Sequence, residues 1–377
     1  MRPLKIAFFC WESLHAVRVG GLAPAATCLA EALARRGHEI HFFTRGPGPD
    51  ERNGVRYHYC SPQGGNIVDY CRDLSLQAAA LFRGEDSPPF DILHFHDWHF
   101  VEALHLFRDR KTVLSFHSTE YGRNGNQRGG WWEFGEISGK EWYGAYIAKR
   151  VAAVSRTLRQ EVMGLYNVPD WKIDAVPNGI DPDRYYMPVD AGAVKEEYGV
   201  HPYAPLVFFG GRLAYQKGPD LLLRAVPAVL KNRWDAHFLF AGEGDMHGVL
   251  SRRAGGMPVR LLGYLDEPAY IRLMNAADIV AIPSRNEPFG LVLTEAWSAG
   301  RCVVASDVGG LSENIDQFVN GVKVQPSAKG IADGINAVIG DHGLCCALGR
   351  RGREKVEREF RWEAVAGAME RLYEQVL

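Results

Sequence analysis

Nowhere does the 377-residue chain sustain eighteen uninterrupted apolar residues, and its first fifteen residues carry no signal-peptide pattern. The expectation is a protein of the cytoplasm without integral membrane contact. A surplus of one charge is missing too: 43 Lys and Arg face 45 Asp and Glu, a formal net charge of -2. That balance argues against nucleic acid or a membrane surface as its main partner. Its cysteines, Cys10, Cys28, Cys60, Cys71, Cys302, Cys345 and Cys346, are odd in number and form no C-x-x-C pair. A disulfide framework is therefore not expected, and a reducing compartment is. Internal repeats and low-complexity tracts are lacking, and no G-x-G-x-x-G follows the first apolar run, which removes the signature of a dinucleotide-binding turn.

What the chain does have is alternation. Apolar runs and amphipathic stretches succeed one another along its whole length, the pattern of parallel α/β sheets. The length suits two cores of roughly 180 residues each. Strands are expected at 4–10, 40–44, 92–95, 112–116, 151–154 and 173–176, and again at 206–209, 237–241, 259–262, 279–282, 302–305 and 322–324. Between the two series, Pro177-Asn178-Gly179-Ile180-Asp181-Pro182 punctuates the chain as a crossover. The domains are accordingly expected at 1–180 and 181–360. The segment 122–139, with Gly129-Gly130-Trp131-Trp132, has no clear periodicity and reads as a mobile loop or as aromatic packing.

The most informative stretch runs from Ser284 to Gly300. It places Glu287 and Glu295 eight positions apart around the start of a helix, with Pro288 suited to a first helical turn. Gly290 lets a ligand approach the backbone, and the free N–H groups of a helix start at Gly290, Leu291 and Val292 favour phosphate. The two carboxylates suit hydroxyls on either side of a diphosphate, as on the sugar and ribose of a nucleotide sugar. A purely structural reading leaves Glu287 in a solvated loop and Glu295 on a helix surface. The cations such a diphosphate needs occur in Gly210-Gly211-Arg212-Leu213-Ala214-Tyr215-Gln216-Lys217-Gly218-Pro219-Asp220, a glycine turn after an apolar run. There Arg212 offers a bidentate fork and Lys217 a point charge. Near the amino end, the run through Phe9, the loop Arg18-Val19-Gly20-Gly21 and a helix over 25–36 form a second strand, glycine loop and helix of the phosphate-cradling kind.

Histidines are dense at His94, His96, His99 and His117, but with no cysteine pair and His94 inside a strand pattern, zinc is not the expectation. His94, His96 and His99 have purely structural alternatives, in which they hydrogen-bond neighbouring loops.

Five segments in order, G-G-L near residue 20, H-F-H-D-W-H at 94–99, F-H at 116–117, G-R-L-x-x-x-K-G-x-D at 211–220 and E-P-F-G-L-V-L-x-E-A at 287–296, resemble those of the retaining glycosyltransferases of the GT-B fold, especially glycogen and starch synthases. Arg18 stands where those synthases carry lysine. The resemblance implies two Rossmann-like domains facing across a cleft, with the last helix, 361–377, returning to the first. It further implies that His117 lies beside the donor sugar and Asp97 near it on the acceptor side. The mechanism it implies needs no metal and no other cofactor, because the departing diphosphate helps deprotonate the acceptor on the same face. Expected partners are an ADP-, UDP- or GDP-hexose donor and a carbohydrate acceptor, with glucose passed to an α-glucan or maltooligosaccharide. A small sugar, a sugar phosphate or an envelope polysaccharide precursor is the alternative acceptor. A sugar-nucleotide epimerase or a noncatalytic nucleotide-sugar binder is the alternative of another class.

Overall fold

The computed structural model describes residues 2–377, which divide into two compact units. One unit runs to Gly179 and takes in Trp362–Leu377; the other is Ile180–Arg361.

The first unit carries an eight-stranded sheet of β1 (Lys5–Phe9), β2 (Glu39–Arg45), β3 (Glu51–Arg52), β4 (Val55–Cys60), β5 (Ile92–His96), β6 (Thr112–Phe116), β7 (Arg150–Ala153) and β8 (Ile173–Ala175). Its order is β3-β4-β2-β1-β5-β6-β7-β8, parallel throughout except for β3 against β4. Strands β1, β5 and β6 are buried at every residue, so the polar His94, His96, Thr112 and Ser115 within them are buried along with the apolar residues. The second unit has six parallel strands, β9 (Leu206–Gly210), β10 (His237–Ala241), β11 (Val259–Gly263), β12 (Ile279–Ile282), β13 (Cys302–Ser306) and β14 (Val322–Val324), ordered β11-β10-β9-β12-β13-β14.

In each sheet the order of the parallel strands turns outward from a central pair, β1 beside β5 and β9 beside β12. Connections leave those neighbours to opposite sides, which opens a crevice at their carboxyl ends where α/β sheets take ligands.

The helix Trp362–Glu374 belongs to the first unit. Trp362, Val365, Ala366, Met369, Leu372 and Tyr373 recur at helical spacing and join the core of Leu4, Ile6, Phe8 and Leu33. Its Glu370 accepts from Arg36 Nε and Nη2, both at 2.7 Å, and lies 2.9 Å from His38 Nε2.

Four elements differ from the sequence reading. Strands β3 and β4 lie where no strand is expected between 44 and 92, because β4 alternates buried Val55 and Tyr57 with exposed Arg56 and half-buried His58 instead of forming an apolar run. The expected loop 122–139 turns to helix at Trp132, in a helix that continues to Ile147. That helix buries Phe134, Ile137, Gly144 and Ala145 but leaves Trp132, Trp142 and Tyr146 in solvent, so its sequence has no clean apolar face. Finally, Pro288 precedes the helix Leu291–Ser298 instead of opening it. Gly290, at φ +99°, interrupts the path between them with a left-handed conformation that only glycine adopts at little cost.

Candidate active site

In the first unit, the loop after β1 is shaped by a side chain the sequence reading overlooks. Glu12 is buried, and its Oε2 accepts the N–H groups of Val19 at 2.6 Å and Gly20 at 2.9 Å. Burial raises the Glu12 pKa, and those two backbone donors partly offset the rise. The Gly20 amide is thus engaged within its own loop. Gly21 stands as the N-cap of the helix Leu22–Arg35, which has no side-chain cap, and Arg18 is exposed.

Asp97 follows β5 with φ +54°, a conformation rare outside glycine and asparagine, and it is fixed from both sides. Its N–H donates to the Ser115 carbonyl at 2.9 Å, and its Oδ1 accepts the His117 N–H at 2.8 Å. Asp97 therefore aims the loop after β6. The His117 ring meets His96, Nε2 to Nδ1, at 2.9 Å. Burial lowers the pKa of His117 despite Asp97 nearby, and burial sets His96 well below the ordinary value, so both rings are neutral at pH 7. His117 Nδ1 and His96 Nε2 are buried without a hydrogen-bond partner among the described residues. Around the pair lies a cavity of about 20 Å³, large enough for one water, lined by Ala25, Ser115 and Asn178 among others. His94 is different: Tyr373 Oη at 2.8 Å and Ser115 Oγ at 2.7 Å satisfy both its nitrogens, which makes it a core residue. His99 stacks on Trp11 with ring centroids 4.4 Å apart.

Below this loop, Arg123 donates to Glu120 Oε2 at 3.0 Å and to Glu141 Oε1 at 2.6 Å. Glu141 also receives the Glu120 N–H and the Tyr166 hydroxyl. Burial pushes Glu141 up to about 7 although Arg123 opposes it. Charged residues twenty apart in sequence gave no hint of this buried network.

In the second unit, the loops after neighbouring strands β9 and β12 meet. Lys217 Nζ lies 2.9 and 2.7 Å from the two carboxylate oxygens of Glu287, and the Ser284 hydroxyl donates to Oε2 at 3.0 Å. Glu287 is 6% exposed, which disposes of the solvated-loop reading. Exposed Arg212 reaches Gln216 Oε1 at 3.4 Å. Beneath them, Arg285 holds Asp220 through two bonds of 2.8 Å and lies 3.9 Å over the Tyr215 ring. This pair clamps the β9 loop to the β12 loop. Burial alone would raise Asp220, but Arg285 and then Arg224 bring it below its ordinary value.

Glu295, on the helix that Gly290 opens, accepts from Tyr270 Oη at 2.9 Å and Tyr185 Oη at 3.3 Å. Leu291 and Val292 are half-buried in its first turn. Gly309 and Gly310, which the sequence reading passes over, support the Glu287 loop: the Gly310 N–H donates to the Glu287 carbonyl at 2.8 Å. A Cβ on Gly309 would stand 2.1 Å from that same oxygen. The Gly-Gly pair ahead of a helix after β13 was the available signal.

Two buried, neutral imidazoles with open nitrogens thus stand at the carboxyl ends of β5 and β6 in the first unit, and a Lys–Glu pair and a glycine-opened helix start stand at those of β9 and β12 in the second. Residues 204–341 match the family described as glycosyl transferases group 1, and 19–184 match glycosyltransferase family 4. An uncharacterized glycosyltransferase of Methanocaldococcus jannaschii is 34% identical over 96% of this chain and 96% of its own. The chain belongs to the group 1 glycosyltransferases.

This glycosyltransferase is also 28% identical to glycogen synthase of Mycobacterium tuberculosis, over 98% of the chain and 94% of that protein. It is 31% identical to a D-inositol 3-phosphate glycosyltransferase of Xylanimonas cellulosilytica, over 94% and 92%. Among solved structures, the catalytic domain of starch synthase IV from Arabidopsis thaliana bound to ADP and acarbose matches at a TM-score of 0.82 and 20% identity, covering 99% of each chain. The fold is GT-B, and the enzyme is a hexosyltransferase.

Proposed function

We propose that this enzyme transfers glucose, with retention of configuration, from a nucleoside diphosphate sugar to an α-glucan or maltooligosaccharide. The observation that carries the reading is the Lys217–Glu287 pair beside the helix start at Gly290. A bound diphosphate draws Lys217 away from Glu287, as an ammonium prefers the more highly charged partner. Glu287 is then free to accept hydroxyls of the sugar. Arg212 and the N–H groups at Gly290, Leu291 and Val292 complete the anion site, and Glu295, presented by its two tyrosines, takes the ribose.

With charge on the leaving diphosphate neutralised by Lys217 and Arg212, the reaction needs no metal ion or other cofactor at this point. The departing oxygen receives the proton of the acceptor hydroxyl, so no carboxylate base is required. His117, neutral and with Nδ1 unpartnered, hydrogen-bonds the reacting sugar, and Asp97 positions it through the backbone. Arg18, Gly20 and Gly21, in the glycine loop after β1, also bind substrate phosphate.

One observation favours a second acceptor class. A relative of similar identity is named for transfer to inositol 3-phosphate, a small phosphorylated acceptor, and the exposed Arg18 suits a phosphate. Nucleoside diphosphate release from ADP-, UDP- and GDP-glucose, measured with maltooligosaccharide and separately with sugar and inositol phosphates, decides between them. Acceptor-dependent release with the oligosaccharide alone supports the glucan reading; release with a phosphorylated acceptor alone replaces it.

A further inference from the structure

The sequence reading looked for metal ligands among His94, His96, His99 and His117. The structure gathers ligand atoms elsewhere. His41 on β2, His58 on β4 and Glu85, the last residue of the helix Ile67–Glu85, bring one ligand atom each to within 4.8 Å of one another. His41 Nδ1 lies 2.9 Å from His58 Nε2 and 3.9 Å from Glu85 Oε2.

The donor set is also oriented. Glu39 Oε1 lies 3.0 Å from His41 Nε2 and so holds the proton on that nitrogen, turning the Nδ1 lone pair toward His58 and Glu85. A carboxylate behind a ligating imidazole is the arrangement that fixes tautomer and raises ligand basicity in metal sites. Aromatic packing holds the rings: His58 stacks on Phe43 at 4.5 Å and on His41 at 5.1 Å, and Phe90 meets His41 edge-on at 5.0 Å. The cations nearby are already committed. Lys5 Nζ donates to the carbonyls of Glu85 and Pro88 at 2.6 and 2.9 Å, and Arg56 lies 3.9 Å from Glu39.

We propose that His41, His58 and Glu85 bind a divalent ion of the zinc class, with Glu39 as the orienting carboxylate and a water in the fourth position. Two imidazoles and a carboxylate are the ligand types such ions take, and the two rings, which meet nitrogen to nitrogen at 2.9 Å, turn apart to admit one. The ion is structural. His41 lies in the amino half of β2, whereas the active-site loops leave the carboxyl ends of their strands. It ties the end of one helix to two strands near the sheet edge, and binding only the folded form it stabilises by mass action.

The test is titration of the chelator-stripped full chain with Co(II), read by ligand-field absorbance, together with the melting temperature in Zn(II). The expected result is one equivalent bound and a raised melting temperature. Glu39→Gln weakens binding by about 10- to 100-fold, and His58→Gln and Glu85→Gln by more. Glu85 is half-exposed, so its variant keeps the fold and decides the matter even if His58→Gln does not. His342→Gln, which removes the exposed His342–Cys346 contact, leaves binding unchanged. No absorbance band in the wild type, or a band that Glu85→Gln leaves at wild-type affinity, overturns the proposal.

Discussion

Lys217 and Glu287 neutralise each other across 2.7 Å, so neither is independent of its partner. Removing Lys217 strips a cation from the diphosphate and also leaves a buried carboxylate uncompensated; removing Glu287 frees a cation to bind elsewhere. Lys217→Ala and Glu287→Ala are each expected to lower kcat/KM by about 10²- to 10³-fold. The double variant is expected to lose little more than the worse single one, because the two act as a unit. Steady-state kinetics of the four proteins measure this, and strictly multiplicative losses count against it. At Glu295 the support is hydrogen bonding from two tyrosines. Tyr270→Phe should raise KM for the donor several-fold while leaving kcat nearly unchanged, as a loss at the ribose and not at the reacting bond would do. The sequence offers Lys217 and Glu287 as candidates because phosphate and hydroxyl chemistry demand few side-chain types. The pairing of Lys217 with Glu287 was not legible, since seventy residues of chain separate them and only the adjacency of β9 and β12 joins them.

Elements position these groups through backbone contacts that tolerate little change. Gly309, at φ +49°, passes so close to the Glu287 carbonyl that any Cβ forces the loop outward. Gly309→Ala is therefore expected to destabilise the fold by about 1 to 3 kcal/mol and to reduce kcat/KM by moving Glu287. Urea unfolding and kinetics on one preparation test both effects; wild-type activity at wild-type stability would show that the loop does not depend on this glycine. The buried parallel strands could be read from their apolar runs, since burial on both faces leaves few polar positions. Strand β4 and the helix Trp132–Ile147 could not, because β4 is no apolar run and the helix mixes buried and exposed aromatics without a single apolar face. The start of the helix at Leu291 was misplaced by three residues because proline is a common first-turn residue, and only the left-handed Gly290 reveals the turn between.

For the whole molecule, two titrations of the same sign shape stability in acid. Arg36, and then His38, holds Glu370 down to about 2, below its ordinary 4.5, even though burial opposes them. Its contribution is thus present above pH 4.5 and fades as pH falls toward 2. Arg36 is partly exposed, so Glu370→Gln is expected to cost about 1 to 2 kcal/mol at pH 7, with the difference gone near pH 2. The buried histidines act earlier. Burial holds His94 at about 3 and His58 at about 4 against an ordinary 6.5. The unfolded chain therefore binds more protons below 6.5, and stability falls as pH drops from there toward 4. Urea midpoints at pH 7, 5.5 and 4.5 should decline steadily in the metal-free protein; a flat profile would contradict the neutral assignment of these rings. At this scale the alternation of apolar and amphipathic segments already implied parallel sheets, whereas buried His94 and its partner Tyr373, far apart in the chain, emerge only from the folded core.

Nucleoside diphosphate release from ADP-, UDP- and GDP-glucose, with and without maltooligosaccharide, tests the central claim most directly. Release that depends on the acceptor, with an α-linked product and a collapse in both Glu287→Ala and Lys217→Ala, is the predicted result. A β-linked product, or release unaffected by either substitution, would contradict it.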